Sequence, residues 1–171
     1  MERVAVEDVE PIAPPDGNVP PGATAGSVGN VRQLTRALGT TDLSINYYEL
    51  APGESFTVSV HRHDTHEEVF YVLSGTVTFE TETETGDVTL GAGDVLRVPP
   101  DTFQLGTNQG DERATAITLG APREYQAETE WLVECEACGE RTVHVVEGTE
   151  DGSAFVYRCT ECDSETYRFS A

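Results

Sequence analysis

Between Leu43 and Leu119 the sequence falls into eight short runs of alternating or β-branched residues, at 43–50, 55–63, 67–73, 75–81, 87–90, 94–98, 103–107 and 112–119. Alternation on this scale predicts strands. The breaks between runs carry Pro52-Gly53, Ser74-Gly75, Gly86-Asp87 and Gly91-Ala92-Gly93-Asp94, residues that supply the positive φ or preset bend of a tight connection. Eight strands joined this way in under 80 residues imply an antiparallel all-β sandwich or barrel.

The rest of the chain is organised around that unit. With 171 residues and 37% hydrophobic content there is material for one main core and a small appendage. Residues 1–30 hold Pro11, Pro14, Pro15, Pro20 and Pro21 among small residues and are expected to form an arm, with at most a short strand at Val4–Val6. Val31–Leu38 reads equally as a helical turn or a strand. The barrel is expected over 31–120, a polar linker over 121–130, and a second module over 131–171 with strands at 141–147, 153–158 and 165–169. The longest purely apolar run is Val69–Leu73, far short of a membrane span.

Charge excludes whole classes of partner. The chain has 31 acidic residues against 10 basic ones, all Arg, for a formal net charge of -21. Nothing here would hold a nucleic acid or an anionic membrane by counterion release. Many acids and no Lys resemble the composition of salt-in halophiles, whose molar salt shortens the Debye length to about 3 Å and screens the self-repulsion. Acids occupy Met1–Val9, where a signal peptide would be basic and apolar, so a soluble cytoplasmic protein is expected.

The chemistry concentrates at two places. His61 and His63 are two apart on an expected strand, so both imidazoles leave the same face, and Glu68 opens the next strand. Two imidazoles and a carboxylate suit a divalent transition metal with open coordination positions. Thr57 and Ser59 continue that face, which suggests a pocket in place of a filled core. Phe56, Val58 and Val60 would then point the other way, as an apolar stripe covered by a homodimer or by the N-terminal arm.

The run Gly53-x7-His61-x-His63-x4-Glu68-x6-Gly75 resembles the first motif of the cupin superfamily, and Gly93-x5-Pro99-x4-Gln104-x3-Asn108 is similar to the second. The resemblance implies an antiparallel cupin barrel of the jelly-roll type over residues 43–119, with a metal ion (Fe, Mn, Ni, Cu or Zn) on His61, His63, Glu68 and a fourth ligand. Three positions depart from the pattern. Gly53 lies farther ahead of the His pair than is usual, Asp101 stands where the second motif has Gly, and Gln104 stands where it has its His ligand. Gln104 therefore has three readings: a weak fourth ligand, a hydrogen-bonding group for a bound water or substrate, or a structural residue. His66 reads as a solvated turn residue and Glu67 as an exposed acid. Tyr47, Tyr48, Tyr71 and Phe103 read as packing groups, Phe103 with a possible place at the pocket mouth.

The second place is Cys135-x2-Cys138 with Cys159-x2-Cys162, a spacing that aims four thiolates at one ion and resembles a zinc ribbon. Four thiolates close a tetrahedral zinc shell, so the expected role is structural. His144, between the pairs, reads as exposed. Because the ligand sets share no residue, two ions per chain, lost independently, are expected. The whole reads as a metal-dependent enzyme oxidising or isomerising a small polar molecule. The alternative is a non-catalytic small-molecule-binding or sensor protein whose ribbon contacts a protein partner.

Overall fold

The computed structural model describes residues 1–12, 27–81, 86–123 and 129–170. In chain order the strands are β1 (Ser27–Val28), β2 (Asn30–Gln33), β3 (Ser44–Leu50), β4 (Glu54–Ser55), β5 (His61–His63), β6 (Glu67–Ser74), β7 (Thr76–Thr81), β8 (Val88–Gly91), β9 (Val95–Val98), β10 (Gln104–Thr107), β11 (Ala114–Ala121), β12 (Thr129–Cys135), β13 (Glu140–Gly148), β14 (Ala154–Cys159) and β15 (Glu165–Ser170). One sheet runs β2-β3-β11-β6-β9. The other runs β1-β4-β10-β5-β12-β13-β14-β15, with β7 along the opposite edge of β10 and β8 beyond it. This is the expected all-β jelly roll.

The alternation that predicts the strands also places the site. On the inner face of the first sheet, Leu50, Val72, Ala114 and Ala116 meet Val77, Phe79 and Leu90 of the second in one apolar core. Farther along the same strands, four residues from Leu50 and Val72 and two from Ala116, the inward positions turn polar, with Asn46 on β3, Glu68 on β6 and Thr118 on β11. One end of the barrel is therefore filled and the other hollow. Phe56, Phe70 and Phe79 cap the filled end as an aromatic cluster, with ring centroids 4.7–5.9 Å apart. At the β6–β7 turn Gly75 has φ +72°, and a Cβ there would lie 2.7 Å from the Ala114 Cα, so only glycine fits.

Most expected strands appear within a residue or two of their predicted ends. The run 55–63 is an exception and splits into β4 and β5. Between them Phe56 donates its amide to Gly106 (3.0 Å), and Val60 accepts the Leu132 amide (2.9 Å). The bend breaks the two-residue register. Phe56 turns inward to the core and cavity, and Val60 packs on Leu105 and Leu132. The expected stripe is thus corrected: Phe56 joins the core and β10 and β12 cover Val60, so the two do not form an outward apolar stripe and the argument from it for a homodimer or a covering arm falls away. Val31–Leu38 is both alternatives in turn, β2 followed by the short helix α1 (Leu34–Leu38), which ends on Gly39 at φ +69°. Val4–Val6 is not a strand, since the described start of the arm holds a 3₁₀ turn at Val6–Asp8. Its Pro14–Pro21 segment and residues 124–128 of the expected linker lie outside the described residues.

The C-terminal segment contributes a strand that local pattern did not announce. β12 starts at Thr129 and pairs antiparallel with β5, setting Thr129 opposite His63, Glu130 opposite Arg62 and Trp131 opposite His61. The expected edges of the linker, 121 and 130, fall in β11 and β12. The cysteine-bearing strands continue the barrel's second sheet.

Candidate metal centre and its pocket

Short as it is, β5 carries both histidines inward and Arg62 outward, where the guanidinium meets Glu130 and Asp101 and lies 4.6 Å from the Phe103 ring centroid. Phe103 is accordingly a packing group outside the pocket. Asp101 adopts φ +60°, so the left-handed turn usually filled by Gly is kept with Asp, one of the side chains that tolerates it.

His61 and His63 are buried, each with Nε2 3.9 Å from Glu68 Oε2. One donor atom from each of the three lies within 4.8 Å of the others, the arrangement of a group that could hold a metal ion. Second contacts fix how each ring is turned. His61 Nδ1 faces the Ser59 carbonyl (3.3 Å), leaving Nε2 for the centre. The Thr129 hydroxyl lies 2.9 Å from His63 Nδ1. Gln104, opposite His61 in the β10–β5 pairing, donates from Nε2 to Glu68 Oε2 (3.0 Å) and lies 3.3 Å from His61 Nε2. All four residues singled out from the motifs therefore converge.

Burial shapes the electrostatics. Desolvation lowers His61 to about 4 and His63 to about 3, and the other ring nearby lowers His63 further. Burial pushes Glu68 up to about 7, against the hydrogen bond from Gln104. The imidazoles are thus neutral donors, the form that ligates, and among the described residues no cationic side chain lines the cavity to balance the carboxylate. A divalent cation matches that donor set.

His66 corrects its reading as a solvated residue. It is buried, donates Nδ1–H to the Pro122 carbonyl (2.5 Å) and sets its ring 4.9 Å from that of His63. Gly120 makes this possible, because a Cβ there would lie 2.2 Å from His66 Nε2. Glu67 is the exposed acid expected, paired with Arg97 at 2.6 Å.

Above the three donors opens a cavity of about 480 Å³. Its barrel side includes Tyr48, Phe56, Thr57 and Phe70. Its other wall is Trp131, Val146, Phe155, Tyr157 and Phe169, all from β12–β15. Trp131 stacks on His61 with centroids 4.9 Å apart and planes 26° apart. Sequence reasoning missed this wall and Thr129. The available signal was the aromatic alternation of Phe155-x-Tyr157 and Tyr167-x-Phe169, which reads as ordinary strand packing until the strands are docked.

The four cysteines are free thiols. Their Sγ atoms lie within 4.8 Å of one another, with Cys135–Cys162 at 3.6 Å and Cys138–Cys159 at 3.8 Å. A zinc–sulfur bond of about 2.3 Å puts tetrahedral sulfurs about 3.8 Å apart, so the spacing fits zinc. The backbone N–H of Cys138 faces Cys135 and lowers its thiol pKa. Burial opposes ionisation at Cys159, yet the Thr142 hydroxyl and the amides of Cys162 and Glu161 hold it down to about 6. These contacts favour the thiolate at Cys135 and Cys159, while the neighbouring thiols of Cys162 and Cys135 push Cys138 upward. His144, expected to be exposed, is fully buried between the Thr142 carbonyl (3.0 Å) and the Thr166 hydroxyl (2.8 Å).

A jelly roll whose hollow end gathers two histidines, a glutamate and a glutamine is cupin-like. Residues 46–120 match the family model described as "Cupin domain". The chain is similar to the crystal structure of a sugar phosphate isomerase from a cupin superfamily of Silicibacter pomeroyi, with TM-score 0.65 and 16% identity over 94% of each chain. It is also similar to a putative sugar phosphate isomerase of Acidithiobacillus ferrooxidans, with TM-score 0.53 and 20% identity over 85% of this chain and 78% of that one. Oxalate decarboxylase of Lactobacillus farciminis gives TM-score 0.54 and 19% identity over 74% of this chain and 34% of that one. At such identities the likeness is one of fold. No curated protein matches the chain by sequence. Among the described residues no helix is long and apolar enough to cross a membrane.

Proposed function

We propose that this chain is a metal-dependent cupin enzyme that oxidises or isomerises a small molecule in the barrel cavity. One observation carries the reading: three convergent donors, His61, His63 and Glu68, lie at the floor of a cavity large enough for a substrate. A divalent ion bound there would polarise an oxygen of the substrate. His61 and His63 supply neutral nitrogen donors, turned by Ser59 and Thr129, and Glu68 supplies the charge. Gln104 takes the fourth position, holding Glu68 through its N–H group and offering its carbonyl as a weak donor. The cysteines hold a structural zinc.

The reading is tested by metal analysis and turnover together. The chain is expected to carry two ions, and His61→Ala to lose the barrel ion while keeping the cysteine one. Catalysis is read as metal-dependent dioxygen uptake or, in D₂O, as exchange of the carbonyl α-protons of hydroxyacetone. A loaded chain that does neither belongs to the alternative, a binding or sensor protein.

Gln104 is separable from the other ligands. Gln104→Leu should weaken uptake at the barrel without emptying it, and Gln104→His should tighten it, most for Cu and Ni, because imidazole is the better donor to later first-row ions. Metal titrations of the two variants check this. Unchanged affinity in both removes Gln104 from the shell.

A further inference from the structure

The cavity's walls are chemically divided. Val146, Phe155 and Phe169 give the far wall purely apolar side chains, beside Trp131 and Tyr157 with one polar atom each, while Asn46, Thr57, Gln104, Thr118 and Thr129 share the lining with the three donors. Phe155 and Phe169 stack at 5.4 Å with planes 25° apart, and Tyr157 lies 6.1 Å from Phe169. Phe155 remains 40% exposed, at the rim. A sugar with a hydroxyl on each carbon would leave most of them without partners on such a wall, and each unmade hydrogen bond costs affinity. A flat apolar group would fill it.

Charge narrows the class further. A phosphate ester is held by Arg, Lys or a helix N-terminus, and among the described residues the cavity lining has none of these. The chain has no Lys. Among the arginines, Arg62, Arg97, Arg113, Arg141, Arg158 and Arg168 lie against carboxylates, while Arg32 and Arg123 donate to backbone carbonyls. The fold relatives described as sugar phosphate isomerases are thus matched in architecture but not in a phosphate site.

We infer that the substrate is a phosphate-free molecule with an oxygen-bearing chelating head and an aromatic or flat apolar body, the head set on the barrel ion and the body lying against the β14–β15 wall. This rests on the barrel metal site proposed above. The wall thereby makes the cysteine module the specificity element of the barrel.

Isothermal titration of the Mn²⁺-loaded chain tests it with three probes: 1-phenyl-1,3-butanedione (head and ring), acetylacetone (head alone) and fructose 6-phosphate. The phenyl diketone is expected to bind about tenfold more tightly than acetylacetone, with the sugar phosphate weakest. Phe169→Ala and Phe155→Ala should erase that ratio while leaving Mn²⁺ uptake unchanged. Phe155, already at the rim, can be truncated with the fold kept, which circular dichroism verifies. Equal affinity for the two diketones, no binding of either to loaded chain, or tighter binding of fructose 6-phosphate would overturn the inference. Failure of the chain to take up Mn²⁺, or uptake undiminished in His61→Ala, would instead overturn the metal site beneath it.

Discussion

Cys135→Ser is expected to cost the chain its cysteine-bound ion and to weaken its hold on the barrel ion. Loss of one thiolate opens the closed shell, and zinc binding of this kind supplies on the order of 10 kcal/mol of folding free energy to small modules. Cys135 ends β12, the strand that also holds Thr129 against His63 and stacks Trp131 on His61. When β12 leaves β5, the histidines lose the contacts that turn them. Loss of such supporting groups weakens metal binding by about 10–100-fold, and that drop is expected at the barrel site, with the cysteine ion gone altogether. Separate titrations of thiol-bound zinc and barrel metal measure it. A barrel affinity equal to that of the unaltered chain would show that β12 stays docked without its ion. Read from spacing alone, the two ligand sets are independent, and the β5–β12 pairing is what joins them.

Phe79→Ala should be the most damaging single truncation in the barrel. The side chain is completely buried and packs on Phe56 and Phe70, with Gly106 pressed against its ring, since a Cβ there would lie 2.8 Å from it. Emptying an aromatic site of this kind costs about 3–5 kcal/mol. Domains of this size have only about 5–15 kcal/mol in total. Urea unfolding of metal-loaded protein reads the loss from the midpoint. A cost under about 1 kcal/mol would mean that the neighbouring strands collapse into the gap.

Barrel and ligands were legible in the sequence because both depend on local spacing. Alternation marks a strand wherever one face is buried, and His61, His63 and Glu68 are brought together by one turn between adjacent runs. The misreadings share a different cause. Counting along the strand gives Phe56 its side, a place in a turn makes His66 read as solvated and a place between the cysteine pairs makes His144 read as exposed, but a bend at 56–60, a glycine at 120 and a hydroxyl on β15 decide where they go. The β5–β12 pairing brings together residues 68 apart at Arg62 and Glu130, and period-two patterning carries no information about which edge a strand will join. The aromatic wall was hidden for the same reason.

The stacking of Trp131 on His61 has an optical consequence. It is the chain's single tryptophan, so the protein's near-ultraviolet emission comes almost wholly from one ring lying 4.9 Å from a donor of the metal centre. An ion with unpaired electrons at His61 would quench that emission on arrival, and a molecule entering between Trp131 and the far wall would shift its colour. The pocket therefore comes with its own label, and its filling can be followed in real time without attaching a dye.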